Sequence, residues 1–364
     1  MVSFKSLKKV GVIGLMSGTS LDGLDLCFAE FEFNNEGWNF NIKAAKGLAY
    51  SPEWRNRLNQ AFISDKETFK QLEKDYGVFL GDETLTFMTE HGLKDAVHLI
   101  ASHGHTVFHE PSKGITVQIG DAVQIAQRTD RTVVNNFRIK DVELGGQGAP
   151  LVPVGDAHLF SEYDACLNLG GIANVSYQQN EQRFAFDIAA CNLPLNKIMR
   201  NYYQKEFDDN GDLARSGNTI VSLLNQLDQL AYYKMDAPKS LAVEWLNEQF
   251  DPILDQYLND EFQLKDVMHT IIQHETAQIA AVLNVQEIQT VLVTGGGAYN
   301  SFFMEELVKK SKAEILKPSN QIIEFKEALI FGFLGLLNVI GQINTFKSVT
   351  GASHDSIGGI ITYP

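Results

Sequence analysis

The chain has 364 residues, 44% hydrophobic and 21% charged, the make-up of an ordinary globular protein long enough for two lobes. Its formal charge of −15, from 45 acidic against 30 basic residues, argues against a sequence-independent nucleic-acid surface and against docking on anionic lipid. Cys27, Cys166 and Cys191 are too few and too irregular for a disulfide framework or a zinc motif, and no apolar run is long enough to span a membrane.

The start, MVSFKSLKKVGVIGLM, imitates a signal peptide, but Gly11 and Gly14 interrupt its apolar part, so a mature N-terminus in a reducing cytosol is expected. A strand over 10–16 then breaks at Ser17, Gly18, Thr19 and Ser20 and returns from Leu24. Residues 38–48 alternate as a third strand. Ser51-Pro52 opens a helix, and 66–92 carries helical spacing at Phe69, Leu72, Tyr76, Phe79 and Leu80. Short strands follow at 98–102, 114–119 and 132–136, with a helix capped by Asp121 before the last. Three antiparallel strands followed by alternating helices and parallel strands describe a ribonuclease-H-like lobe.

The pattern recurs. Strands at 165–169, 173–178 and 182–187 are followed by a helix over 192–204, and Gly170-Gly171 joins the first two. A helix-rich insertion at 208–262, a helix at 267–283 and a buried strand at 290–293 complete the second set, and an apolar helix at 325–340 follows. The expected fold is α/β, two duplicated ribonuclease-H-like lobes with a cleft between them. Residues 1–150 with 340–364 form the first lobe and 151–339 the second.

The Ser17–Ser20 turn can grip phosphate oxygens with successive N–H groups and hydroxyls, and Asp22 and Asp25 can hold a hydrated Mg²⁺. Taken alone, a serine- and glycine-rich hairpin turn is the plainer reading, and no Walker pattern is present. Gly295, Gly296 and Gly297 follow a buried strand, where missing side chains leave room for a base or ribose and Asn300 could bond it. A flexible loop is the alternative, but ligands collect at such strand ends. Asp187 ends a strand as a candidate general base, or serves with Asn192 as a helix cap. His103, His105 and His109 form HxHxxxH, a poor zinc pattern with only Glu110 beside it. Arg138 can fork onto a carboxylate or pair with Asp141 between the lobes, and the glycines of GGQGAP suit an interlobe bend.

GLMSGTSLDGLD (14–25) resembles the GxMSGTSxDGxD signature of the anhydro-N-acetylmuramic acid kinases. SHGHTVFHEP, VQIGDAVQIA, VVNNFRIKDVELGGQGAPLVP, LNLGGIANVS, TGGGAYN and SVTGA are similar to that family's further blocks, in order to residue 352. The resemblance implies the sugar kinase, heat-shock chaperone and actin fold. It also implies ATP with Mg²⁺, a homodimer, and an activity that opens a 1,6-anhydro sugar with water and phosphorylates O6. Gly18, Thr19, Ser20, Asp22, Gly23 and Asp25, with Gly170, Gly171, Gly295–Gly297 and Asn300, would hold the nucleotide. His103, His109, Arg138, Asp141, Gln147 and Asn192 would face the sugar. Asp187 matches the catalytic Asp of FDTGPGN.

The departures fall close by. Ile188, Ala189, Ala190 and Cys191 replace Thr, Gly, Pro and Gly, Asn196 replaces an Asp, and PKSLAVEW replaces PKSTGRE while keeping Glu244. They leave open a kinase of another anhydrosugar, such as levoglucosan, or a non-catalytic ATP-binding relative.

Overall fold

A computed structural model describes Phe4, 8–258 and 264–364, so residues 259–262 of the expected insertion and residues 1–3 and 5–7 of the leader-like start lie outside the described residues. Strands β1 (Val10–Ser17), β2 (Gly23–Asn34) and β3 (Gly37–Ala49) form an antiparallel meander. Helix α1 (Pro52–Asn59) starts where Ser51 accepts from the Trp54 N–H, and α2 (Lys66–Glu90) where Asp65 accepts from two N–H groups. Strand β4 (Leu99–Glu110) is twice the expected length. It lies parallel to β1, then continues past Gly104 as a hairpin with β5 (Ile115–Ile119), so the whole SHGHTVFHE run is strand. Helix α3 (Ala122–Thr129), capped by Asp121, leads to β6 (Thr132–Asn135), and α4 (Ile139–Glu143) and α5 (Val152–Leu159) follow.

Strands β7 (Ala165–Leu169), β8 (Ala173–Gln179) and β9 (Gln182–Ala189) form a second meander, and α6 (Asn192–Ile198) follows it. Short helices α7 (Asp212–Arg215), α8 (Val221–Asp228), α9 (Val243–Trp245) and α10 (Asp251–Leu254) lie in the insertion. Helix α11 (Leu264–Val285), β10 (Thr290–Thr294), α12 (Ser301–Lys310) and β11 (Glu314–Leu316) come next. The chain ends with α13 (Asn320–Ile340), α14 (Lys347–Thr350) and β12 (Ile360–Thr362). Sequence periodicity did not anticipate α4, α5, β11, α14 or β12, all eight residues or shorter, whereas α12 is the helix expected after the triple glycine.

The chain divides into two compact units, Met1–Phe160 with Phe325–Pro364, and Ser161–Glu324. The first holds the sheet β12-β6-β4-β1-β2-β3, with β5 paired to β4, and the second holds β11-β10-β7-β8-β9. In both, the meander's first strand sits beside two parallel strands, which is the ribonuclease-H-like order. The divisions fall at 160 and 325, not at the expected 150 and 340, because α5 and α13 pack on one another. Lys326 pairs with Asp156 at 2.7 Å with both side chains buried, and a Cβ on Gly155 would meet the Ile330 side chain at 2.4 Å. Helix α13 also lies directly on β1, since a Cβ on Gly14 would sit 1.8 Å from the Ala328 carbonyl oxygen. The GGQGAP run therefore lies within the first unit and is not a bend between the two.

Each unit has its own core. Ile13, Leu26, Phe28, Tyr76 and Phe87 centre the first, and Leu167, Val175, Ile271, Val293 and Phe303 the second.

Candidate active site

In the second unit Asp187 lies within β9, opposite Asn174, two residues before the strand's end. The segment 239–241 clamps it. Its Oδ2 accepts from the Leu241 N–H at 2.8 Å and the Ser240 hydroxyl at 3.0 Å. Its own N–H donates to the Lys239 carbonyl, and its carbonyl accepts from the Tyr232 hydroxyl at 2.6 Å. No lysine or arginine pairs with it among the described residues, and Cys191, not Asp187, takes the cap position of α6. Burial raises its pKa above the usual carboxylate value, while the Leu241 N–H and the Ser240 hydroxyl oppose that rise by favouring the charged form. A half-buried carboxylate held by one oxygen, with no cation to quench it, is equipped to take a proton from water.

The turn Gly170-Gly171 is tied to the start of α6. Asn192 Nδ2 donates to the carbonyls of Leu169 (3.0 Å) and Gly170 (2.7 Å), and the Leu193 N–H donates to Gly171. Asn192 thus braces the turn through the amide nitrogen of a side chain that was expected to face the sugar. The 295–297 glycines are not equivalent. Gly295, at φ +84°, and Gly297 press on Leu169, where a Cβ would meet protein atoms at 2.5–2.7 Å, whereas a Cβ on Gly296 would meet nothing within 4 Å. Asn300 caps α12, its Oδ1 accepting from the Phe303 N–H at 2.9 Å.

In the first unit the signature turn closes through the Leu21 N–H donating to Gly18, with Leu21 at φ +59° and Thr19, Ser20 and Asp22 exposed. Gly23 is required by packing, since its Cβ would lie 2.2 Å from the Leu48 carbonyl oxygen. Asp25 sits on β2 between Met16 and Gly47. Behind the turn runs a buried chain of polar groups. Tyr76 and Tyr50 hydroxyls are 2.6 Å apart, the Tyr50 hydroxyl donates to Ser17 Oγ (2.7 Å), and Ser17 Oγ lies 3.0 Å from His105 Nδ1. Burial pushes the His105 pKa down to about 4, so the ring is neutral.

The three histidines of HxHxxxH serve three different partners. His103 is buried, with Nδ1 against the Gly104 carbonyl at 2.9 Å and Nε2 accepting from Arg138. Burial and that guanidinium hold His103 well below its ordinary pKa, so it stays neutral with both ring nitrogens engaged. His109 Nδ1 meets Thr116 Oγ1 at 3.1 Å. Arg138 also donates to the Gly148 carbonyl at 2.7 Å, and burial lowers its pKa to about 10. The expected ion pair between Arg138 and Asp141 is not formed among the described residues. Asp141, fully buried, instead accepts from the Gly148 N–H and the Thr350 hydroxyl, both at 2.7 Å. The Gln147 N–H donates to Thr350, leaving its side chain exposed. Asp141 thereby fastens GGQGAP to SVTGA.

Sequence reasoning missed the groups that hold Asp187. PKS was their one signal, and Tyr232 had none. It also misjudged the altered segment, because Ile188, Ala189, Ala190 and Cys191 are at most 1% exposed and belong to the second unit's core.

Two sheets of one strand order, each with a glycine turn after its first strand, and an oriented carboxylate in one of them define an α/β protein of the sugar kinase, heat-shock chaperone and actin class. The chain belongs to the anhydro-N-acetylmuramic acid kinase family, whose model matches residues 10–364. An anhydro-N-acetylmuramic acid kinase of Vibrio cholerae is 33% identical over 377 residues, covering 97% of this chain and 98% of that protein. One of Psychrobacter cryohalolentis is 30% identical over 400 residues, covering 96% and 94%. Among solved structures, the activator of the 2-hydroxyisocaproyl-CoA dehydratase from Clostridium difficile with bound ADPNP aligns over 91% of this chain and 96% of its own. Its TM-score of 0.45 and 12% identity make a likeness too loose to build on.

Proposed function

We propose that this chain uses ATP to convert 1,6-anhydro-N-acetylmuramic acid to N-acetylmuramic acid 6-phosphate in the recycling of peptidoglycan. Asp187 removes a proton from water as the water oxygen bonds to the anomeric carbon. The bond from that carbon to O6 breaks, O6 takes the γ-phosphoryl group, and ADP leaves. The observation that carries this reading is the Asp187 carboxylate itself, fixed through one oxygen by Ser240 and Leu241 with no cationic partner among the described residues. The Leu241 contact is made by the backbone, so the change from PKST to PKSL keeps it. Burial of 188–191 makes those departures changes of core packing, which supports the family's usual sugar.

Bound Mg²⁺ would neutralise charge on the phosphates. Asp22, exposed in the hydroxyl-bearing turn, suits an ion that keeps most of its waters and takes one or two carboxylates. A cytoplasmic homodimer completes the proposal. Three buried cysteines, none in a disulfide among the described residues, and the use of ATP support the compartment, and the family resemblance supports the dimer.

Turnover in isotopically labelled water tests the reaction. Label is expected on the anomeric carbon of the product, and label in phosphate would mean simple ATP hydrolysis. Coupled ADP release with a panel of anhydrosugars separates this reading from a levoglucosan-type kinase, which would turn over the neutral sugar, and from a non-catalytic relative, which would turn over none.

Ser240→Ala gives a pH signature. The Ser240 hydroxyl favours the charged carboxylate, so its loss raises the Asp187 pKa further. Because the base works only when ionised, the acid limb of kcat/KM is expected to move to higher pH, with the plateau retained. An unmoved limb would remove Asp187 as the titrating base.

A further inference from the structure

Helix α11 carries the polar run His274, Glu275 and Thr276 in the second unit's core, each at 0% exposure. His274 and Thr276 have partners. His274 Nδ1 lies 2.6 Å from Asp228 Oδ1, and the Thr276 hydroxyl donates to the Ile272 carbonyl at 2.6 Å. Glu275 differs, because neither carboxyl oxygen makes a regular hydrogen bond among the described residues. Burial holds its pKa well above the usual carboxylate value, so the group is uncharged. A leucine would fill this place at less cost than an acid in an apolar core. The backbone group that faces the carboxyl is the Cys191 N–H, from outside regular hydrogen-bond geometry.

Cys191 turns the corner from β9 into α6 at φ +56° and ψ −122°, a backbone that glycine adopts freely and that a residue with a Cβ keeps only under constraint. It is also one of the departures from FDTGPGN, standing where that pattern has its second Gly. On one side of the corner, Asp187 is fixed independently by Ser240, Leu241, Lys239 and Tyr232. On the other, Asn192 follows directly and braces Gly170-Gly171 through the Leu169 and Gly170 carbonyls. A shift at the corner would therefore move the glycine turn and leave the base in place. We propose that Glu275 is a positioning residue for that turn: its carboxyl holds the Cys191 N–H, keeps the corner at positive φ and so sets Asn192 against Gly170-Gly171. The inference rests on the functional reading above, with Gly170-Gly171 as a contact for the nucleotide. The Tyr233 hydroxyl, buried beside Glu275 and without a hydrogen bond among the described residues, is the other group the acid could serve, and the test separates the two.

Calorimetric titration with MgATP, two-substrate kinetics and melting curves test this on the full chain, Glu275→Leu, Glu275→Gln, and Glu275→Leu combined with Cys191→Gly. Glu275→Leu is expected to weaken MgATP binding about tenfold. KM for the sugar and the acid limb of kcat/KM should stay in place, and the melting temperature should hold or rise. A residue that only filled the core would move affinity and stability together. Glu275→Gln keeps a neutral acceptor of the same size and should bind as the unaltered chain does. Adding Cys191→Gly should restore affinity to the leucine variant, since glycine takes the corner's φ without being held. Unaltered affinity in Glu275→Leu would overturn the proposal, as would an equal loss in Glu275→Gln. A loss that persists beside Cys191→Gly would also overturn it and assign Glu275 to Tyr233. If Glu275→Leu does not fold, recovery of folded protein with the unaltered affinity on adding Cys191→Gly supports the proposal, and no recovery overturns it. Failure of the functional reading would look different, since it would show in the unaltered chain as no turnover of the muramic sugar.

Discussion

Replacing Asp187 with Asn is expected to lower kcat by roughly 10²–10⁴-fold, the usual worth of a positioned general base, while leaving the dissociation constant for MgATP unchanged. The variant is a clean probe because the clamp survives it. The Asn side-chain oxygen still accepts from the Leu241 N–H and the Ser240 hydroxyl, and the backbone bonds to Lys239 and Tyr232 are untouched. What disappears is the capacity to take a proton. Ligand titration and steady-state kinetics on one preparation separate this from unfolding. If the variant keeps more than a tenth of the rate, the proton goes elsewhere and Asp187 only braces the 239–241 segment.

The fold was legible because its signals are periodic and local. Alternation in β1 to β3, the helix starts at Ser51 and Asp121, and the glycine turns repeat within a few residues, and both meanders appear where the alternation put them. The site was legible only as a set of candidates. Asp187 stood out on a strand, but the groups that orient it lie 45 to 54 residues away and touch it partly through the backbone. The chain from Tyr76 through Tyr50 and Ser17 to His105 spans separations of 26 to 88 residues and leaves no pattern in the sequence. Polar residues in conspicuous motifs carry structural duties that the sequence did not show. His103, Asp141, Asn192 and Asn300 looked poised for ligands, yet each spends hydrogen bonds on holding the protein together. The run IAAC misled in the opposite sense, because an apolar segment beside a candidate catalytic residue reads equally well as a pocket wall or as core. Only burial separates the two.

The triple glycine after β10 supplies the other large expected effect, and it splits by position. Gly295→Ala places a Cβ at 2.5 Å from Asn168 Oδ1 and 2.7 Å from the Leu169 backbone, on a residue at φ +84°. Overpacking and the left-handed backbone together should cost about 2–5 kcal/mol of stability, enough to lower the melting temperature sharply whatever the loop binds. Gly296→Ala meets open space and should change stability by no more than about 0.5 kcal/mol. If a ribose or base lies over this loop, the same methyl group takes its space, and KM for ATP should rise about tenfold at unchanged melting temperature and unchanged KM for the sugar. Melting curves and two-substrate kinetics on both variants check this. An unaltered KM for ATP in the Gly296 variant would mean that the glycines serve only the close approach of this loop to Leu169, and that the nucleotide's ribose and base are held by other residues.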